Sequence, residues 1–227
     1  ELLGLKNFFI LWSTQSISQL GSSITTFALA LWLYEKTGSS LSTAALTICS
    51  YAPYVLMSIF AGALTDRLDK RKTMLGCDMF AAMCTVTVLV LFRTNRLMVW
   101  HLYVLNVISG FMNTLQQPAS EVAMTLIIPD EYYQKTSGLC SGSRALISIL
   151  NPLIATALYA LAGLNGVIAV DLGSFGVAFL ALLFFIRIPE NKSDKGESVL
   201  HLAKEGLVFL KRNPMILTLI LFMSGVN

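Results

Sequence analysis

The chain alternates between long apolar runs and short polar breaks. A helix needs about 20 residues to cross the hydrocarbon core of a membrane, and six runs reach that length. They cover residues 8–34, 41–64, 73–92, 98–126, 138–163 and 166–187. The breaks between them are short and contain charged residues or glycine. The pattern therefore predicts an all-α membrane protein whose core is a six-transmembrane-helix bundle.

After the sixth run the pattern changes. Residues 188–196 are polar, and apolar residues then recur at helical spacing through 197–212, which predicts an amphipathic helix lying on the membrane surface. Residues 215–227 are apolar but too short to span, so they predict the truncated start of a seventh transmembrane helix. The predicted domains are the bundle (1–188), a linker with its surface helix (189–214) and the partial span (215–227).

Composition excludes an ordinary soluble domain. The 227 residues are 55% hydrophobic and only 13% charged, with a mean hydropathy of +0.69, whereas soluble domains carry about 25% charged residues. Basic residues collect in the loops on the side of residue 1, and only Lys36, Arg93 and Arg96 fall on the other side. This bias predicts a multi-pass cell-membrane protein with a cytoplasmic N-terminus and a cytoplasmic 189–214 linker.

The sequence carries no pattern typical of soluble enzymes, metal sites or nucleotide binding. The four cysteines are scattered singly, and neither His101 nor His201 has a further ligand at metal spacing. We therefore expect no enzymatic activity, no metal and no cofactor. The net charge of +3 is explained by the membrane topology, so we expect membrane lipid as a partner and no nucleic acid.

Three runs carry polar residues at helical spacing. These stripes are Gln15, Gln19, Ser22 and Thr26 in the first run; Asn106, Gly110, Asn113, Gln117 and Glu121 in the fourth; and Arg144, Ser148 and Asn151 in the fifth. Such residues either hydrogen-bond between helices or line a water-accessible path. A water-accessible path is the interpretation we favour for the bulky amides and the carboxylate, which are Gln15, Gln19, Asn113, Gln117 and Glu121. The third and sixth runs are almost wholly apolar and are predicted to face lipid.

The ionisable residues inside the runs suggest specific pairings. Glu121 and Arg144 both lie in the inner halves of their spans, so we expect them to approach each other. Two roles remain open for this pair, a structural ion pair or ion coupling, in which Glu121 takes up a proton if burial favours its neutral form. Asp78 is predicted to pair with Arg67 or Arg71, and Asp171 to have a capping or packing role.

The break between the second and third runs, Gly62-Ala-Leu-Thr-Asp-Arg-Leu-Asp-Lys-Arg-Lys72, resembles the G-x-x-x-D-R-x-G-R-R signature of the major facilitator superfamily. Asp69 replaces the signature's second glycine, a variant that resembles the branch of macrolide-efflux-type drug exporters. Four further segments are similar to that branch: residues 34–39, 117–119, 128–131 and 168–171. The resemblance runs from about residue 8 to Pro214.

The resemblance implies that the chain is the N-terminal half of a twelve-helix major facilitator fold, which works by alternating access with a missing C-terminal six-helix half as its partner. It implies a gating motif at the inner gate made of Gly62, Asp66, Arg67, Asp69 and Arg71. It further implies a small-molecule substrate and one wall of a substrate cavity, for which the polar stripes offer Gln15, Gln19, Asn106, Asn113, Gln117 and Asn151. It also implies secondary active export of amphipathic, macrolide-like compounds, with a proton gradient as the driving force.

Two departures from the drug-exporter pattern shift the predicted coupling site. The fourth run contains no arginine, and the fifth carries Asn151-Pro152 in place of Gly-Pro with paired glycines. Glu121 and Arg144 are therefore the predicted substitutes. The alternatives are an importer or siderophore exporter of the same superfamily, or a non-transporting membrane sensor or assembly subunit.

Overall fold

The computed structural model describes residues 2–128 and 130–186 together with residues 208, 212–216, 218 and 222, with side chains except at 2–4, 58–63, 65–67 and 130. Five helices are α1 (Leu2–Thr37), α2 (Ser40–Arg67), α3 (Lys70–Arg93), α4 (Val99–Ile127) and α5 (Tyr133–Phe184), with a 3-10 turn at Asp130–Tyr132. No strand occurs within these ranges, as predicted. Apart from scattered residues, the predicted linker helix and partial seventh span lie outside the described residues.

Helix α5 contains a sharp break at Gly163, which has a φ of 62° and a ψ of −173°. Only glycine adopts this conformation at low cost. Before the break Tyr159 contacts Glu35 at the end of α1, and after it Leu182 contacts Arg71 at the start of α3. The two arms of α5, residues 133–162 and 164–184, are therefore antiparallel neighbours. The described chain forms six helical segments, as the hydropathy pattern predicts.

We call the end of the bundle that holds Arg71 the basic end, and the end that holds Trp32 and Leu97 the far end. An apolar cluster stabilises each of them. The far-end cluster includes Leu33, Leu46, Leu97, Leu102, Leu164 and Ile168, and the basic-end cluster consists of Leu11, Met74, Ala119, Ala123, Leu182 and Ile186. Buried polar residues lie between the two clusters on α1, α3, α4 and α5: Ser18, Asp78, Thr114 and Asp171. The bundle therefore has a polar layer near its middle.

Helices α2 and α4 approach each other closely around Gly110. A Cβ atom built on Gly110 would lie 3.2 Å from Pro53 Cγ and contact the backbone of Ser50. On the same interface Ser50 Oγ donates to Asn106 Oδ1 over 2.9 Å, and Tyr103 donates to the carbonyl of Ser42 over 3.2 Å. Small and polar residues thus hold these helices together, which is the packing expected in a membrane.

Apolar side chains dominate the exposed surface. Segments 40–57, 70–93 and 133–184 are long and apolar enough to cross a membrane. The exposed side chains of α3 and of the second arm of α5 include Met79, Phe80, Met83, Val177, Leu180 and Phe184, which suits the predicted lipid contact. Helix α2 and the first arm of α5 also expose Ile48, Leu56, Leu146 and Leu153.

Candidate functional site

Glu121 and Arg144 form an ion pair between α4 and the first arm of α5. Arg144 Nη2 lies 2.9 Å from Glu121 Oε1, and the two side chains are 49% and 47% exposed. Gln117 Nε2 donates to the same carboxylate oxygen over 3.5 Å. The predicted approach of the two charges is confirmed. The carboxylate is half-exposed in the described bundle and faces a cation, and the ion-coupling role of the pair stays a prediction.

The predicted cavity residues fall into two groups. Gln19, Asn113 and Gln117 are exposed, as are Thr26 and Ser148 from the same polar stripes. We call these five residues, together with Glu121 and Arg144, the open polar residues. They lie on α1, α4 and α5. A ligand approaching these helices from outside the bundle would meet amides, hydroxyls and one ion pair.

The other predicted cavity residues turn toward neighbouring helices. Asn106 accepts from Ser50 and donates to the Leu102 carbonyl over 2.9 Å, so its amide joins α4 to α2. Gln15 Nε2 and Asn151 Oδ1 are buried and have no hydrogen-bond partner among the described residues. The stripe on α1 is thus divided, because Gln15 faces the inside of the bundle and Gln19 faces outward.

Asp78 does not pair with Arg71, so that half of the prediction is wrong, and the side chain of Arg67 lies outside the described residues. Its side chain is 3% exposed and points into the bundle, where Oδ1 accepts a hydrogen bond from Gln116 Nε2 of α4. Arg71, its expected partner, points away and donates to the carbonyls of Leu182 and Leu183. The physical reason is distance along the helix, since two turns of α3, roughly 10 Å of helical rise, separate Asp78 from Arg71.

Asp171 joins three helical segments in the polar layer. It is 4% exposed, and its two carboxyl oxygens accept from Ser22 Oγ of α1 over 3.1 Å and from Thr85 Oγ1 of α3 over 3.3 Å. The predicted packing role is confirmed, since both oxygens take part in hydrogen bonds between helices. Sequence reasoning missed the hydroxyl partner on α3, because one threonine in an apolar run carries no distinct signal.

At the basic end, Arg71 connects the start of α3 to the end of α5. Its Nε and Nη2 atoms donate to the carbonyls of Leu182 and Leu183 over 3.3 and 2.6 Å. These carbonyls lie in the last turn of α5, where backbone oxygens lack helical partners and a cation is favourable. The side chains of Gly62, Asp66 and Arg67 lie outside the described residues, so their gating role stays a prediction.

Asp69 caps the N-terminus of α3. Its Oδ1 accepts from the backbone N–H groups of Arg71 and Lys72 over 3.0 and 3.2 Å, and Lys72 Nζ lies 3.4 Å from Oδ2. Partial burial raises the pKa of this carboxyl, but the backbone and side-chain contacts from Lys72 and Arg71 outweigh it, so the net pKa is lowered. The aspartate that replaces the signature glycine therefore starts a helix.

We expect Asp69→Ala to lower the free energy of unfolding by about 1 kcal/mol, the usual cost of a lost N-cap, and Asp69→Asn to cost less because its amide oxygen still accepts. Since the pKa is lowered in the folded state, the charged cap contributes fully above the ordinary aspartate pKa and is lost as the pH falls through the folded value. Thermal unfolding in detergent between pH 3 and pH 7 measures both effects. An Asp69→Ala variant as stable as the parent at pH 7 would contradict the cap.

Two grooves open on the described surface. A groove of about 460 Å³ runs between α1 and the first arm of α5, lined by apolar and small residues such as Trp12, Ile17, Leu20, Gly142, Leu146 and Leu150. A second, of about 350 Å³, lies at the far end between Trp32, Glu35, Lys36 and Phe92. None of the predicted cavity amides lines either groove, and no group of metal-binding side chains occurs in the described ranges.

Comparison with known proteins places these features in a wider context. The profile of the Major Facilitator Superfamily matches residues 11–227. The chain is 27% identical over 218 residues to Macrolide efflux protein A of Streptococcus pyogenes, covering 94% of this chain and 53% of the relative. It is 26% identical over 180 residues to Macrolide efflux protein A of Enterococcus faecalis, covering 78% of this chain and 55% of that protein.

A third relative is an uncharacterized MFS-type transporter, YkuC of Bacillus subtilis (strain 168), with 26% identity over 229 residues, 95% of this chain and 52% of the relative. The chain thus spans about half the length of the curated relatives it matches.

Proposed function

Because the chain belongs to the Major Facilitator Superfamily, we propose that it forms the first half of a secondary active transporter that exports amphipathic small molecules with macrolide-like compounds among them. The observation that carries this proposal is the similarity over 94% of the chain to a protein named for macrolide efflux. Six helical segments account for half of a twelve-helix transporter, and a second six-helix half is the partner required for alternating access.

The open polar residues are suited to orient such a ligand. A ligand pocket combines apolar walls with a few polar groups, and here Asn113 and Gln117 of α4 are exposed beside the Glu121–Arg144 pair. A half-exposed ion pair stabilises a protein by about 0–1 kcal/mol. Substrate or a proton can therefore separate Glu121 from Arg144 at low cost, which makes the pair a suitable element for ion coupling.

The basic end is proposed to form the inner gate on the cytoplasmic side. Arg71 is bound to carbonyls of its own half, and Asp69 caps α3. Both residues thereby hold the α2–α3 connection in place within this half. Asp66 and Arg67 of the signature are proposed to form the contact with the second half that breaks when the gate opens.

The test uses the full-length protein in proteoliposomes with an imposed pH gradient. Addition of erythromycin, a macrolide, is expected to release protons across the membrane in an amount that depends on drug concentration, as reported by a trapped pH dye. Empty liposomes and a non-macrolide polar solute such as sucrose are the controls. Erythromycin accumulation with no proton movement would contradict proton coupling, and no accumulation at all would contradict macrolide export.

A further inference from the structure

The polar layer contains a buried carboxyl group that forms no ion pair with the described side chains. Asp78 is 3% exposed, and the two ion pairs in the described part of the chain, Lys72–Asp69 and Arg144–Glu121, do not include it. An ionised carboxylate inside a membrane protein is costly unless a cation or several donors compensate it. Residues of this kind mark ion and proton pathways more often than they stabilise a fold.

The groups around Asp78 are two amides and a thiol. Gln116 Nε2 of α4 donates to Oδ1, and the amide of Gln15 of α1 also lies against the carboxyl. Yet Gln15 Nε2 and Asp78 Oδ2 are both buried without a hydrogen bond of ordinary geometry in the described ranges. The titratable group that interacts with Asp78 along α3 is the Cys77 thiol. The second arm of α5 contributes Asp171, about two turns farther toward the middle of the bundle.

These two amides can satisfy either protonation state of the carboxyl group. A carboxylate accepts from both Nε2 groups, whereas a protonated Oδ2 needs an acceptor. Rotation of the Gln15 amide by half a turn presents Oε1 to Oδ2 in place of Nε2, and the two orientations have the same shape. The site therefore offers the carboxyl group a hydrogen-bond partner in either protonation state, with Gln15 Nε2 donating to the carboxylate and Gln15 Oε1 accepting from a protonated Oδ2.

We propose that Asp78, held between Gln15 and Gln116, is a reversible proton-binding site of this transporter, separate from the Glu121–Arg144 pair. The proton comes from water, forms the O–H bond at Asp78 Oδ2, and returns to water when that bond breaks, so no redox partner is needed. Gln19 lies one turn from Gln15 and is the nearest exposed residue of the polar stripe on α1. The inference rests on the proposed proton coupling.

Loss of the proton would also affect helix packing. The site lies where α1, α3 and α4 meet, next to the basic-end cluster that includes Met74 and Ala119. A new buried charge that is compensated only by amide donors disfavours the tightly packed arrangement and favours one that admits water. Protonation of Asp78 would thus shift the balance between two arrangements of the bundle, which is what coupling to alternating access requires.

Infrared difference spectroscopy of the purified full-length protein during pH steps tests the site directly. The parent is expected to show the C=O band of a protonated carboxyl group that appears and disappears reversibly, and Asp78→Asn is expected to lose it. Asp171→Asn is the matched control, since it also neutralises a buried aspartate of the polar layer, and should retain the Asp78 band. A spectrum unchanged by Asp78→Asn would overturn the proposal.

Transport measurements separate this inference from the proposed function. In proteoliposomes, Asp78→Asn is expected to abolish erythromycin accumulation driven by a pH gradient while erythromycin exchange at equal pH continues, and Asp171→Asn should keep both. Gradient-driven accumulation at the parental rate in Asp78→Asn would overturn the coupling role of Asp78. A parent protein without gradient-driven accumulation would contradict the proposed function, while the infrared titration would still decide whether Asp78 binds a proton.

If Asp78→Asn fails to fold, Gln15→Leu provides the second test. This substitution keeps the carboxyl group but removes the acceptor for its proton, so the carboxyl band is expected to move to the frequency of a group without that hydrogen bond. A band at the parental frequency in Gln15→Leu would overturn the arrangement proposed here.

Discussion

Reversing either charge of the Glu121–Arg144 pair, by Glu121→Arg or Arg144→Glu, is expected to slow erythromycin efflux by the full-length protein on the order of tenfold. The parent ions lie 2.9 Å apart, so each single variant places two like charges side by side. At a separation of 4 Å two charges interact by about 1 kcal/mol in water and about 4 kcal/mol near a protein surface. Half-exposed side chains fall toward the lower value, and 1.4 kcal/mol corresponds to a factor of ten.

Combining the two reversals restores an ion pair of opposite direction, and we expect efflux to recover to within a few-fold of the parent. Lys135→Glu reverses an exposed charge on α5, the helix that carries Arg144, and controls for the change in net charge. The measurement is the initial rate of radiolabelled erythromycin efflux at equal amounts of membrane-inserted protein. A double variant as slow as the slower single variant would mean that the pair does not act as a unit.

Gly110→Val is expected to cause the largest loss of stability. A Cβ atom at this position meets the backbone of Ser50 and lies 3.2 Å from Pro53 Cγ, and backbone atoms cannot rotate aside. Overpacking of this kind costs about 1–3 kcal/mol and sometimes more. Separation of α2 from α4 would also weaken the hydrogen bond between Ser50 and Asn106. We expect the midpoint of thermal unfolding to fall by roughly 5–10 °C.

Gly76→Val is the matched control for this change. It places the same side chain in the helix interior of α3, where an added Cβ would meet nothing within 4 Å. The unfolding midpoint of both variants in detergent, followed by intrinsic tryptophan fluorescence, measures the difference between a close helix contact and an open helix surface. Equal midpoints for the two variants would contradict the importance of the α2–α4 contact.

Prediction from the sequence succeeded for features that the local sequence pattern sets, and it failed where the outcome depends on which neighbouring helix a side chain faces. The Glu121–Arg144 approach was predictable because both residues interrupt apolar runs at similar depth. The partner of the Asp78 side chain was not predictable, since Arg71 is near in the sequence and the observed neighbour, Gln116, lies on another helix. Gln116 and Gln117 show the same limit, because adjacent residues on a helix point about 100° apart.

The sequence by itself determined the helices, their breaks, the family and the exclusion of a soluble fold, because the length of an apolar run and the position of charges and glycines act locally. Only the tertiary structure decided that Gln15 turns inward while Gln19 faces outward, that Asp69 caps α3 and that Asp78 lies between two amides. Those outcomes depend on the rotation and neighbours of each helix, and packing between segments far apart in the chain sets both.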